Sequence, residues 1–317
     1  MDERQLGGAH VELSRIVLGC GNFGGIGSAP EFFGMGESRE EAFALMDAAW
    51  ELGITTFDTA DAYGGGRSET WIGEWIRATG NRPVLVTKTA NPMAAGADAG
   101  LSRGRIERQI ASSLERLGVE RVDLYLAHEF DPNTPLAETV GAFEDLCDRG
   151  LIGSYGVSNF DAAQLRETAA LGRPSAVQNS YSLLERSDEA EVIPFCAEHR
   201  IAYIAFGPLA GGWLAGRYRR GQEPPPGSRM ATRPEGYAHL AAESTFAGVD
   251  ALAAAAAERG IGTAGLALAW VVAQPDVTAA VAGPRRPEHF DAVREALATP
   301  LSADEADALA RLFKVSH

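Results

Sequence analysis

Asp58, Tyr63, Lys88 and His128 are four side chains with complementary proton chemistry, and they fall at equivalent places in the chain. Asp58 closes the run Ile54-Thr55-Thr56-Phe57-Asp58 and Tyr63 follows a few residues later; Lys88 closes Val84-Leu85-Val86-Thr87-Lys88; His128 follows Asp123-Leu124-Tyr125-Leu126-Ala127. Singly, each has an ordinary structural use as a loop cap, a half-buried ring, a snorkelling stem or a core imidazole. Together they form a proton-transfer set. Burying Lys88 unpaired would be costly, and burying it beside Asp58 requires a purpose. An ammonium lowers the pKa of a neighbouring phenol, making it a proton donor and acceptor near neutral pH, while a carboxylate keeps the ammonium charged. The other nearby acid, Asp61, lies in the loop and is expected to be solvated or to act from behind the site.

These residues can meet only if a particular order of elements brings them together. Short β-branched runs alternate with stretches of helical periodicity along almost the whole chain. Strands are expected at 16–18, 54–58, 83–88, 122–127, 153–157, 176–178, 201–205 and 277–282. Helices are expected at 39–52, 68–78, 102–117, 136–147, 162–171, 188–199, 245–259, 263–274, 288–297 and 303–313. Eight strand-helix units in 317 residues predict an α/β protein, a (β/α)8 TIM barrel forming one domain over residues 1–317. Additions to that plan are an N-terminal β-hairpin turning at Gly7-Gly8, a long loop after the seventh strand at about 211–240, and a C-terminal helix. The hairpin should cover the N-terminal end of the barrel. The loop, with Trp213, Tyr218, Met230 and Tyr237, is too long for a plain connection and reads as a lid. In such a barrel the C-terminal ends of the strands share one site, which would bring the four proton-active residues together.

Charge and composition restrict the partners. With 28 Lys+Arg against 43 Asp+Glu the formal charge is −15, and no basic run suits a nucleic acid or an anionic membrane. The expected partner is a small molecule. Cys20, Cys147 and Cys196 are too scattered for a disulfide framework or a metal site. The charged start Met1-Asp2-Glu3-Arg4-Gln5 and the lack of a long apolar run predict a soluble, cytoplasmic protein. Gly19-Cys20-Gly21-Asn22-Phe23-Gly24 has the G-x-G-x-x-G spacing after a strand, but Gly25-Ile26-Gly27-Ser28-Ala29-Pro30 cannot open the helix that a Rossmann fingerprint needs. It reads instead as a flexible loop at the barrel mouth.

Phe57-Asp58-Thr59-Ala60-Asp61-Ala62-Tyr63-Gly64, with Lys88 and His128, resembles the catalytic tetrad of the aldo-keto reductases. The likeness extends to Gly156-Val157-Ser158-Asn159-Phe160, Gln178-Asn179, Phe206-Gly207-Pro208-Leu209-Ala210-Gly211-Gly212 and Gly283-Pro284-Arg285. It implies a nicotinamide cofactor across the barrel mouth, with Tyr63 protonating the carbonyl oxygen as hydride arrives, Lys88 tuning Tyr63, Asp58 pairing with Lys88, and His128 orienting the carbonyl. Ser158, Asn159 and Gln178 are implied on the nicotinamide carboxamide, whose C=O and NH2 their groups can satisfy. Phe206 stands where relatives commonly stack a Tyr on the ring, and Gly207 where they have a Ser. Gly19, Cys20, Pro208, Leu209, Gly212 and Gly283 complete the implied backbone cradle, and Arg217 falls where a Lys often meets the phosphates. His289 and Val293 replace the Gln and Asn that relatives place along the adenosine. Arg285 and Arg286 suit a 2′-phosphate, because a guanidinium binds phosphate bidentately, so NADP(H) is expected over NAD(H).

Phe23, Phe33, Phe130 and Trp213, with Phe32 and Met93, are expected to give the substrate pocket an apolar, aromatic wall. The expected substrate is an aldehyde or ketone, or the corresponding alcohol, with no metal. Two other readings use the same barrel: a cofactor-holding sensor or channel-associated subunit, and a lyase or epimerase in which hydride returns to the product.

Overall fold

The computed structural model of the chain describes residues 3–6 and 11–313. Strands β1 (Glu3–Gln5) and β2 (Glu12–Ser14) pair antiparallel, as the hairpin expectation requires; its Gly7-Gly8 turn lies outside the described residues. The strands β3 (Ile16–Gly19), β4 (Thr56–Asp58), β5 (Val84–Thr89), β6 (Val122–Ala127), β7 (Ile152–Ser158), β8 (Ala176–Ser180), β9 (Ala202–Phe206) and β10 (Val277–Ala282) are parallel and close into a barrel. Around it run α1 (Arg39–Glu51), α2 (Arg67–Thr79), α3 (Arg103–Leu117), α4 (Leu136–Asp148), α5 (Ala162–Leu171) and α6 (Val192–His199). A four-residue helix α7 (Arg229–Thr232) lies in the long segment after β9, followed by α8 (Glu243–Glu258), α9 (Thr263–Ala273), α10 (Asp291–Ala298) and α11 (Ala303–Ala310). This is a (β/α)8 TIM barrel.

The local signals explain the boundaries. Ser38 and Glu41 form a capping box that starts α1, and Gly118, left-handed at φ 67°, stops α3 where a side chain would be strained. The expected helix at 188–199 divides into a short turn at Ser187–Glu189 and α6, with Pro194 accommodated in the first turn of α6. The helix expected at 288–297 likewise begins as a turn, Pro287–Phe290, before α10. Between β3 and α1 there is only a short 3-10 turn at Pro30–Phe32, so the glycine-rich motif opens no helix.

The core has two layers. Inside the barrel, Val17, Val86, Leu124, Leu126, Ile204 and Val281 pack with Leu6 and Leu13, so the hairpin plugs the N-terminal end. Outside it, aromatic groups such as Trp50-Phe57-Trp75 and Tyr125-Phe143-Tyr155 join strands to helices. A fully buried Leu or Phe contributes roughly 1.5–3 kcal/mol. With the N-terminal end filled, the open face is the C-terminal one.

Candidate active site

Lys88, near the end of β5, turns into the barrel mouth. Its Nζ donates to Asp58 Oδ2 at 2.7 Å and to the Thr59 carbonyl at 2.8 Å, and lies 3.5 Å from the Tyr63 hydroxyl. Tyr63 in turn stands 3.5 Å from His128 Nε2, with the two rings edge-on. Four residues from successive segments of the barrel rim are therefore assembled as their spacing predicted. The backbone explains how: Thr59 N–H bonds to the Val86 carbonyl and Asp61 N–H to that of Lys88, so the turn after β4 runs on alongside β5. Three left-handed glycines, Gly64 to Gly66, follow Tyr63. A Cβ on Gly64 would come 2.5 Å from the Phe23 carbonyl, so only glycine lets the Tyr63 turn pack against the loop after β3.

The protonation states differ from the first expectation at one point. Burial raises the Tyr63 pKa, and the Lys88 charge offsets this only in part, so the phenol sits above its ordinary value instead of below it. It is a proton donor at neutral pH. Burial alone would lower the Lys88 ammonium, but Asp58 and Tyr63 together outweigh burial and hold it above its usual range. His128 is pushed well below the ordinary imidazole value, first by burial and then by Lys88, and is neutral. Its Nδ1 is buried without a hydrogen-bonding partner.

The residues expected to hold a cofactor are placed as follows. Ser158 and Gln178 are register partners on β7 and β8, and Asn159, left-handed at φ 58°, donates to the His128 carbonyl. Gln178 also donates to Asp58 Oδ1 at 2.8 Å, a support for the lysine's partner that the sequence reading missed. Phe206 and left-handed Gly207 line the mouth at the end of β9. Pro208, Leu209 and Gly212 belong to the glycine-bearing turn beyond it. Gly283 follows β10 and is exposed. Gly19 is needed for packing, since a Cβ there would lie 2.8 Å from Val281 Cγ1. Cys20 is fully buried, so only its backbone is available. Arg217, Arg285 and Arg286 all lower the His289 pKa, behind the larger effect of burial. Arg217 and Arg286 are exposed, whereas Arg285 is bonded to Glu37 and to the Gly227 carbonyl, both at 2.8 Å. Left-handed glycines that bring backbone N–H groups to the rim, an aromatic face and a focus of guanidinium charge fit a dinucleotide.

The cleft above the tetrad holds about 580 Å³. Its lining is mixed, with Pro30, Pro92, Phe206 and Leu240 beside charged groups, and the aromatic wall expected from the sequence is not there. Phe23 and Trp213 are core residues, at 1% and 2% exposure, and Phe130 packs edge-on against Phe160. Neither Phe33 nor Phe130 lines the cleft, nor do Phe32 and Met93; Phe33 instead covers Gly65. The walls carry Asn91, Glu129, Glu185, Arg229, Arg233 and Tyr237. Two of the expected aromatic rings, Phe23 and Trp213, pack in the core beneath the loops, so charged and apolar residues share the opening. Three of the lining residues, Arg229, Arg233 and Tyr237, come from the 211–240 segment, which is tied to the rest of the barrel mouth by Arg229 on Asn22 and by Arg285 on the Gly227 carbonyl. Among the described residues no cluster suits a metal ion, and no helix is long and apolar enough to cross a membrane.

Comparison with known proteins agrees with this geometry. Residues 15–314 match the model of the Aldo/keto reductase family. The uncharacterized oxidoreductase YrpG of Bacillus subtilis is 33% identical over 308 residues, covering 92% of this chain and 89% of that protein. The aldo-keto reductase yakc [NADP(+)] of Schizosaccharomyces pombe is 32% identical, covering 84% and 81%. Among solved structures, a glycerol dehydrogenase from Gluconobacter oxydans superposes with a TM-score of 0.84 at 26% identity, covering 98% of this chain and 94% of that one.

Proposed function

The chain belongs to the aldo/keto reductase family, and from that membership in a class of nicotinamide-dependent oxidoreductases we propose that it interconverts a small carbonyl compound and its alcohol using NADP(H). The observation that carries the reading is the Tyr63 hydroxyl, set between Lys88 Nζ and His128 Nε2 at the floor of the cleft. The dinucleotide, when bound, supplies the hydride. Tyr63 gives its hydroxyl proton to the carbonyl oxygen, and the Lys88 ammonium steadies the phenolate left behind. Asp58, itself held by Gln178, keeps that ammonium charged and aimed. Neutral His128, in the tautomer with its proton on Nε2, donates to the same carbonyl oxygen and fixes its direction.

NADP(H) over NAD(H) is supported by the guanidinium groups around His289, which suit an added phosphate, and by the name of the yeast relative. Ser158, Asn159 and Gln178 would hold the carboxamide, with Phe206 against the ring. Glu129, Glu185, Arg229 and Arg233, which share the lining with Pro30, Pro92, Phe206 and Leu240, favour a small carbonyl compound carrying hydroxyl groups, because a purely apolar substrate would strip these four of water without replacing its hydrogen bonds.

The test mixes the protein with NADPH or NADH and two carbonyl series, hydroxylated (glyceraldehyde, erythrose) and alkyl (butanal, octanal), and follows the reduced nicotinamide by absorbance. Faster oxidation of NADPH with the hydroxylated series is expected. Cofactor binding without turnover of any carbonyl would overturn the reading.

A further inference from the structure

We propose that Asp61 is a positioning residue for Tyr63, its charge state setting where the turn between Asp58 and Tyr63 holds the phenol. Of the two expectations for Asp61, the structure excludes the solvated one: the side chain is fully buried, and its carboxylate makes no hydrogen bond of full geometry, the Thr89 hydroxyl and the Ala62 N–H being the donors that act on it. It faces away from the cleft, into a polar layer behind β5. Glu69 of α2 is there, tied to Thr87 at 2.6 Å and to Arg116 of α3 at 2.7 Å. Arg105 of α3, 1% exposed, bonds to the Thr89 hydroxyl and to the carbonyls of Asn91 and Gly100, with Asp98 3.9 Å away. Tyr125 of β6 closes the layer with a buried hydroxyl beside that of Thr89. On the other side of the turn stand Asp58, Lys88 and Tyr63.

The mechanical link is short. Asp61 N–H holds the Lys88 carbonyl at 3.0 Å, Tyr63 N–H closes onto the Ala60 carbonyl at 3.2 Å, and the Thr59 carbonyl accepts from Lys88 Nζ. A displacement at Asp61 therefore reaches the phenol and its ammonium together. Burial, reinforced by the Glu69 charge and eased by Thr89 and Arg105, raises the Asp61 pKa to about 7. Below that pH the neutral acid suits its site. Above it, the carboxylate requires fuller donors, and the Thr89 hydroxyl, which already acts on it, and the neighbouring Tyr125 hydroxyl are the two at hand; closing on them shifts the turn that carries Tyr63.

The test has a structural and a kinetic arm, and only the second rests on the carbonyl-reductase reading. In the cofactor-free protein labelled with ¹³Cζ-tyrosine, the Tyr63 signal, assigned with Tyr63→Phe, is followed by NMR from pH 5.5 to 8.5. It should move with a midpoint near 7 in the parent, stay still in Asp61→Asn, and move with a higher midpoint in Tyr125→Phe, which lacks one donor to the carboxylate. Kinetically, kcat for reduction should fall several-fold through the same window in the parent and remain level in Asp61→Asn, with KM little changed in either. An identical Tyr63 titration in the parent and Asp61→Asn, or none in the parent, overturns the proposal. A parent that shows the NMR titration but reduces no carbonyl overturns the functional reading alone. If Asp61→Asn fails to fold, an unshifted midpoint in Tyr125→Phe overturns the proposal instead.

Discussion

At the residue scale, the proposed proton donor is Tyr63, whose pKa, raised by burial, keeps it protonated at neutral pH. Tyr63→Phe removes the hydroxyl and almost no volume. Steady-state kinetics should show kcat reduced by about 10²–10⁴-fold, the usual worth of a positioned proton donor, with the NADPH dissociation constant unchanged. The sign of the pH dependence follows from the same shift: if alcohol oxidation requires the phenolate, its rate should still be climbing without levelling at about pH 10, where an unperturbed tyrosine would be roughly half ionised. A level profile between pH 8 and 10 would contradict that assignment. Arg285 is a separate matter, because Glu37 and the Gly227 carbonyl already hold it. If it also meets a 2′-phosphate, Arg285→Ala should weaken NADPH by about tenfold or more while leaving NADH nearly unaffected, as equilibrium titrations of both would show. An unchanged ratio would leave the phosphate to Arg217 and Arg286.

At the scale of elements, the two ends of the barrel do separable tasks. The hairpin β1-β2 inserts Leu13 into the N-terminal end, remote from the tetrad. Leu13→Ala should therefore cost about 2–5 kcal/mol in urea unfolding, as large-to-small core changes do, with KM and kcat preserved below the melting transition. At the other end, the segment after β9 is held as a roof by small contacts. Gly211 is left-handed, and a Cβ there would fall 2.6 Å from the Tyr237 ring. Gly211→Ala should push Tyr237 out of the cleft and raise the KM for the carbonyl more than it lowers kcat; a KM equal to the parent's would remove Tyr237 from the substrate wall. Helices such as α1 and α3 were legible because they bury one face, and the strands because they are short apolar runs buried on both faces. The division at Pro194 and the turn at Pro287–Phe290 were not, since hydrophobic spacing does not register whether a first turn is α or 3-10.

At the scale of the whole molecule, a net charge of −15 surrounds a mouth where Arg217, Arg285 and Arg286 gather about His289. Long-range repulsion of an anionic dinucleotide is screened first as salt is added, whereas close guanidinium contacts are screened less. Stopped-flow association of NADPH should accordingly quicken between 20 and 150 mM salt, with a smaller change in the dissociation rate. What the sequence by itself determined was the barrel, read from alternating periodicities, and that Asp58, Tyr63, Lys88 and His128 would lie together at the strand ends. Only the tertiary structure decided which way the remaining side chains face. Phe23 and Trp213 turned inward because apolar surface seeks burial, and Glu129 and Arg233 line the cleft beside Phe206 and Leu240. Asp61, indistinguishable in sequence from a solvated loop acid, came to rest in a closed polar layer because its neighbours in space, Glu69, Arg105 and Tyr125, are far from it along the chain or on other elements. Spacing along a strand specifies a face; the burial of a loop side chain depends on what the rest of the fold places over it.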